Sequence, residues 1–131
     1  NVNVTTDSYG NIMGGSGGHS DTAHGAKVSV ITTNLIKSRL PIIKKEVTTI
    51  TTPGQDIDVL VTERGIAINP LRKDLLAKLT NSKLPITTIE KLYETAHNIT
   101  GIPATLKTSN EVVGLVQYRD GTIIDCLYKV E

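Results

Sequence analysis

The sequence predicts an α/β fold, with a mostly parallel or mixed sheet in its first half, flanking helices, and a β-hairpin towards its C-terminal end. Three observations carry that prediction. Short Val- and Ile-rich runs of strand length recur between residues 28 and 68. Two amphipathic patterns with start and stop signals follow between residues 69 and 101. Asp120-Gly121 then separates two apolar runs, which is among the strongest local hairpin signals.

Taken in order, Val2 and Val4 alternate with Asn1 and Asn3 as in a short strand, Tyr9-Gly10-Asn11 reads as a turn, and Ile12-Met13 as a short return strand. Residues 14–22 are glycine-dense and polar, so they predict a loop, or a loop feeding a short helix at Thr22-Ala23-His24. Residues 28–33 predict a strand; Ile42-Ile43 and residues 47–50 predict two more around the solvated Lys44-Lys45. Thr52-Pro53-Gly54 is a turn. Residues 58–62 form an apolar run that predicts a strand buried on both faces, ending at Glu63-Arg64-Gly65 ahead of Ile66-Ala67-Ile68. Asn69-Pro70 predicts a capped helix over 71–79 with Leu71, Leu75, Leu76 and Leu79 on one stripe. Thr87 and Glu90 predict a capping box for a second helix, whose apolar face is Ile89, Leu92, Tyr93 and Ala96 and whose stop is Gly101. Residues 111–118 and 122–130 are the hairpin arms.

Composition narrows the function classes. The 131 residues are 38% hydrophobic with a formal net charge of +1, which fits one domain or part of a larger one and excludes a disordered tail. The near-neutral balance lacks the basic face of a nucleic-acid binder. There is no Phe or Trp and only four Tyr, so bases would find few stacking platforms, and the core must be Val, Ile and Leu. No apolar run approaches the ~18–20 residues of a membrane span, and no signal peptide is visible. One cysteine, Cys126, makes no internal disulfide and fits a reducing, cytoplasmic setting as a small core residue. The start at Asn1 without an initiator Met reads as a piece of something longer.

Two segments present chemistry. In the glycine loop, Gly14, Gly15, Ser16, Gly17 and Gly18 expose backbone N–H groups without a Cβ in the way. Such a loop either wraps a phosphate, a carboxylate or a developing oxyanion, or is a plain surface turn. It lacks the Lys-Ser/Thr of a Walker loop and a ribose-binding Asp at dinucleotide spacing. His19, Asp21 and His24 have no second ligand cluster, so they predict hydrogen bonding rather than a metal site. His97, late in a helix, reads as structural. Glu63 ends a buried strand, where ligands of open α/β sheets gather; a surface carboxylate at a strand end is the plainer reading. Arg64 is its adjacent candidate partner, although neighbours on a strand face opposite ways. Asp56 and Asp58 precede the strand and read as a solvated turn.

Residues 14–23, Gly-Gly-Ser-Gly-Gly-His-Ser-Asp-Thr-Ala, with Gly25-Ala26-Lys27 and a strand behind them, resemble the glycine loop of the class I coenzyme A transferases. Residues 51–67 resemble that superfamily's second hallmark: Thr51-Thr52-Pro53, Asp56 and Asp58, Val61-Thr62-Glu63, then Gly65. The two stand in the right order. Within the superfamily the chain is most similar to citrate lyase alpha chains, through residues 1–4, His19-Ser20-Asp21-Thr22, Ile68-Asn69-Pro70-Leu71-Arg72, Leu84-Pro85, Thr100-Gly101-Ile102-Pro103 and residues 118–125.

The resemblance implies a CoA-transferase-like sheet and the C-terminal portion of a second transferase domain. In that domain, about residues 1–80 carry the sheet with both motifs, and about residues 84–131 carry a helix and a hairpin tail. It implies a citrate CoA-transferase, which exchanges citrate for the acetyl group of an acyl-carrier-protein thioester and releases acetate. It implies covalent catalysis by a glutamate upstream of this chain, so the piece alone is expected to be inactive. Gly17 and Gly18 are the implied oxyanion amides and Glu63 an accessory carboxylate; Gly14, Gly15, Ser16, His19 and Asp21 are the implied substrate and thioester contacts. No metal and no directly bound cofactor are implied, since the thioester rides on the carrier protein's CoA-derived prosthetic group. The implied partners are the citrate lyase beta subunit and the acyl carrier (gamma) subunit in an oligomer, with no nucleic acid and no membrane. An acetate-type CoA-transferase or acyl-CoA hydrolase, and a non-catalytic assembly module, are the alternative readings.

Overall fold

The computed structural model describes residues 1–7 and 9–131. In chain order the elements are α1 (His19–Gly25), β1 (Val30–Thr32), β2 (Ile36–Lys37), β3 (Leu40–Pro41), a 3-10 turn (Gly54–Asp56), β4 (Val59–Thr62), β5 (Gly65–Ile68), α2 (Lys73–Leu79), β6 (Ile86–Thr87), α3 (Ile89–Thr100), β7 (Thr108–Gln117) and β8 (Ile123–Val130). They fall into two compact units. Residues 27–45 and 57–103 form a sheet unit; residues 1–26, 46–56 and 104–131 form a hairpin unit.

The sheet unit holds a four-stranded sheet in the order β1-β4-β5-β6. It is mixed, as expected: β1 and β4 are parallel, β4 and β5 antiparallel, β5 and β6 parallel. The antiparallel step is made by the two-residue turn Glu63-Arg64, which Thr62 closes: its hydroxyl donates to the Gly65 carbonyl at 3.0 Å and accepts from the Arg64 amide at 3.2 Å. The core is Leu35, Ile43, Ala67, Leu92 and Ala96, with Ile36, Leu60 and Tyr93 packed against it. Leu92 and Ala96 lie one turn apart on α3, so the expected apolar face is the buried one, although Ile89 stays 45% exposed. Val59, Leu60 and Val61 are half-buried rather than sealed on both faces.

Several local expectations are corrected. The cap of α3 is Thr88, not Thr87: its hydroxyl accepts from the Lys91 amide at 3.2 Å, while Thr87 belongs to β6. Glu90 therefore falls one position short of a capping box. Helix α2 starts at Lys73, because the Asn69 side chain accepts from Leu71 N through Oδ1 at 3.0 Å and so builds a turn ahead of the helix. Leu71 is 72% exposed, and no residue of α2 is fully buried. In place of strands at 42–43 and 47–50 the chain makes the small hairpin β2–β3, turned at Ser38 and Arg39 with φ of 51° and 65°. That is the backbone of a two-residue hairpin turn, built without the Asn or Gly that normally announces it.

In the hairpin unit, β7 and β8 pair antiparallel, with the turn at Tyr118-Arg119-Asp120-Gly121-Thr122 where Asp120-Gly121 predicts it. Helix α1 starts at His19, three residues earlier than the sequence indicates, because the Gly18 carbonyl already accepts from the Thr22 amide at 2.8 Å. Val2 bridges to Thr52 and Thr6 to Ile12, so the N-terminal segment makes single bridges rather than strands. The buried residues of this unit are largely hydroxylic: Thr5, Ser20, Thr49, Thr51 and Thr52, with Ala23 and Val116.

Candidate functional site

The glycine loop belongs to the hairpin unit. Gly14, Gly15, Gly17 and Gly18 are exposed, and Ser16 is half-buried. Among the described residues none accepts a hydrogen bond from the amides of Gly14, Gly15, Gly17 or Gly18. A Cβ at Gly14, Gly15 or Gly17 would meet nothing within 4 Å, and at Gly18 only Thr22 Oγ1 at 3.8 Å. The chain's own packing therefore does not demand glycine here. Gly17 needs it for a backbone φ of 56°. What the four glycines leave is a bare stretch of donors that an acceptor atom can approach closely.

Helix α1 leaves that loop and is fastened at both ends to residues 52–56. At its start, His19 Nδ1 lies 2.8 Å from the hydroxyl of Thr52, which is fully buried. At its end, His24 Nδ1 lies 3.0 Å from Asp56 Oδ1 and 3.1 Å from the Tyr118 hydroxyl. Tyr118 donates to Asp56 Oδ2 at 2.8 Å, and the two rings meet edge-on with centroids 6.2 Å apart. The hydrogen bond to Asp56 is the main cause that pushes the Tyr118 phenol above its ordinary range. Asp21 is exposed on the first turn of α1; Ser20 is buried, and its hydroxyl has no partner among the described residues.

Glu63 belongs to the sheet unit and follows Thr62 at the carboxyl end of β4. Its partner is not Arg64 but the backbone: Oε2 accepts from Leu35 N at 2.9 Å. That bond, helped by its own amide and by the Arg64 charge, holds the carboxyl below the usual glutamate value although the side chain is exposed. The carboxyl ends of the parallel strands β1 and β4 frame an open depression of about 380 Å³ lined by Thr32, Thr33, Asn34, Val61, Thr62 and Glu63. A larger groove between α2 and β6, about 540 Å³, is lined by none of the predicted catalytic or substrate-binding residues.

The solvated-turn reading of Asp56 and Asp58 is overturned. The Asp56 side chain is 7% exposed and carries His24 and Tyr118. Asp58 is buried: its Oδ2 accepts from Ser29 N at 2.7 Å, and its Oδ1 pairs with Arg72 at 2.7 Å. Arg72 also grips Asp74 by two bonds of 2.9 Å, which raises the guanidinium still further and pulls Asp74 down to about 2. His97 is structural, its Nδ1 on the Tyr93 carbonyl at 2.8 Å and its ring on the Tyr93 ring. Among the described residues no three His, Cys, Asp or Glu side chains gather as a metal site. Among the described residues no helix is long and apolar enough to cross a membrane.

The family model for the citrate lyase alpha subunit (CitF) matches residues 1–130. The chain belongs to that family. It is similar over all 131 residues to citrate lyase alpha chains of Haemophilus influenzae and Klebsiella pneumoniae, at 47% identity each, and of Escherichia coli at 42%. It spans 26% of the length of each of these relatives. A Streptococcus mutans crystal structure assigned as the alpha subunit of citrate lyase, in complex with citrate, superposes with a TM-score of 0.97 at 46% identity, covering all of this chain and 26% of that one. The mixed α/β arrangement with its C-terminal hairpin is thus shared with a citrate lyase alpha subunit.

Proposed function

We propose that this chain is part of a cytoplasmic citrate CoA-transferase and contributes a portion of its second CoA-transferase-like domain, the glycine loop serving acyl transfer. The observation that carries the reading is the bare run of amides from Gly14 to Gly18, in a family whose Streptococcus mutans relative is a citrate complex. In this reading the intact subunit accepts citrate onto a carrier-protein thioester and releases acetate, beside beta and carrier subunits. The Gly17 and Gly18 amides take the negative charge that develops on the thioester oxygen as the carbonyl becomes tetrahedral. Gly14, Gly15 and Ser16 offer further donors to a carboxylate. His19 has Nδ1 committed to Thr52, so its Nε2 is the nitrogen that reads an extra citrate carboxylate. Asp21, an acceptor, suits the citrate hydroxyl. Glu63, kept ionised by Leu35 N, is the accessory carboxylate.

Gly18→Val in the intact protein tests this. The backbone there has an ordinary φ of −85° and an added Cβ meets only Thr22 Oγ1, so the fold tolerates the change while the side chain crowds the amides. The expected result is a loss of citrate–acetate exchange of about 10²–10³-fold in kcat, the scale of a lost oxyanion donor, with unchanged thermal stability. Exchange that survives while subunit assembly fails would instead support the assembly reading, which the exposed Val112, Val113, Leu115 and Ile123 of the ribbon favour.

A further inference from the structure

His24, Asp56 and Tyr118 form a cluster of titratable side chains outside the residues assigned above. Each comes from a different element of the hairpin unit: the last turn of α1, the 3-10 turn, and the residue after β7. Asp56 is the hub. Its side chain is almost wholly buried, and its two oxygens are divided between His24 at 3.0 Å and Tyr118 at 2.8 Å. Tyr118 donates its only proton to Asp56, so His24 Nδ1 must carry the proton that points at Asp56 Oδ1. The tautomer is thereby fixed, with Nε2 left as the outward nitrogen of a ring about half exposed.

The cluster holds one end of α1 and the His19–Thr52 bond holds the other. The helix is seven residues long, and its first residue follows Gly18 directly. A short helix has little cooperative stability of its own, so what fastens it sets where the preceding backbone sits. We propose that His24, Asp56 and Tyr118 are positioning residues, a three-point clamp that fixes α1 and through it the aim of the Gly17 and Gly18 amides. The inference rests on the acyl-transfer reading of the glycine loop. Amides preorganised towards developing charge act on the transition state more than on the bound substrate. Loosening the clamp therefore lowers kcat, with only a small rise in KM for citrate, because His19 at the other end of α1 keeps its own bond to Thr52.

The test uses the intact protein that carries this chain, with its carrier subunit, and the variants His24→Ala, His24→Asn and Tyr118→Phe. Asn places an amide donor near the position of Nδ1, so it restores the Asp56 bond without an imidazole. His24→Ala is expected to lower kcat about tenfold with KM for citrate within about twofold, Tyr118→Phe to lower it less, and His24→Asn to return it to within about twofold of the parent. Nitrogen-15 spectra of the imidazole are expected to show Nδ1 protonated in the parent. Amide exchange at residues 14–24 is expected to quicken in His24→Ala.

An active parent with undiminished kcat in both His24→Ala and Tyr118→Phe overturns the clamp. So does a His24→Asn variant as impaired as His24→Ala, or a parent with Nδ1 unprotonated at neutral pH. A parent that exchanges no citrate for acetate overturns the acyl-transfer reading instead. The imidazole spectra and amide exchange then still decide whether the clamp exists.

Discussion

Thr49, Thr51 and Thr52 are 2%, 1% and 0% exposed, so their hydroxyls lie where a polar group costs stability unless it is bonded. Thr51 meets that demand twice: it accepts from Val4 N at 3.0 Å and donates to the Val2 carbonyl at 3.1 Å. Thr52 meets it through His19. The N-terminal segment is thus held by side-chain hydroxyls as well as by the backbone bonds of Val2 to Thr51 and Thr52, and the threonines that look like strand formers also act as bonding groups. Thr51→Val keeps the shape and leaves Val4 N without its acceptor; we expect a loss of about 1–3 kcal/mol by thermal or chemical denaturation. Ser20 is the opposite case, a buried hydroxyl without a partner among the described residues. Ser20→Ala is expected to stabilise by about 1 kcal/mol. A destabilised Ser20→Ala would mean that a group beyond the described residues takes the bond.

At the scale of elements, the β4–β5 turn decides where Glu63 goes. Gly65 has φ of 151°, and a Cβ there would lie 2.8 Å from Thr87 Cγ2 and 3.3 Å from the Pro85 carbonyl. Gly65→Ala therefore combines backbone strain with a clash against β6, and a loss of about 1–3 kcal/mol in denaturation is the expected outcome. A neutral Gly65→Ala would show that β6 gives way without cost. Elements with a long period or a strong turn residue were legible in the sequence: α3 by Leu92 and Ala96, its stop by Gly101, and the ribbon turn by Asp120-Gly121. The two-residue strands β2, β3 and β6 were not, because two residues carry no periodicity and Ser38-Arg39 carries no turn signature. The glycine loop and the strand-end position of Glu63 were legible for the same local reasons. Asp56 and Asp58 were misread because their partners are distant in sequence: His24 lies 32 residues and Tyr118 62 residues from Asp56, and Arg72 belongs to the start of another element. Local polarity around an aspartate does not report a partner brought in by topology.

Across the whole molecule, the segment that resembles a single hallmark is divided: residues 51–56 belong to the hairpin unit and fasten α1, while residues 57–67 build the sheet unit and carry Glu63. Each unit also keeps carboxylates held in the ionised form. In the hairpin unit the Asn11 side chain lowers Asp7, and the Thr122 hydroxyl and amide lower Asp120. In the sheet unit Leu35 N lowers Glu63, and Arg72 lowers Asp74 to about 2 from an ordinary 3.8. In all four the folded-state value lies below the unfolded one, so each group contributes stability that is complete above its unfolded value and is lost as pH falls through its folded value. For Asp74 that window runs from 3.8 down to about 2, and for Glu63 it opens below 4.5. All four groups are solvent-accessible, so the contribution of each is small and shrinks with salt. The intact protein is expected to lose thermal stability as pH falls from about 5 to about 2, less steeply in high salt, since the linkage acts only where folded and unfolded states bind different numbers of protons. Asp74→Asn, which leaves Arg72 its bond to Asp58, is expected to flatten the low end of that slope, and Glu63→Gln the high end. Slopes that match the parent's in both variants would show that these carboxylates bind protons equally in the folded and unfolded chain, and would overturn the role of the Arg72–Asp74 and Leu35–Glu63 bonds.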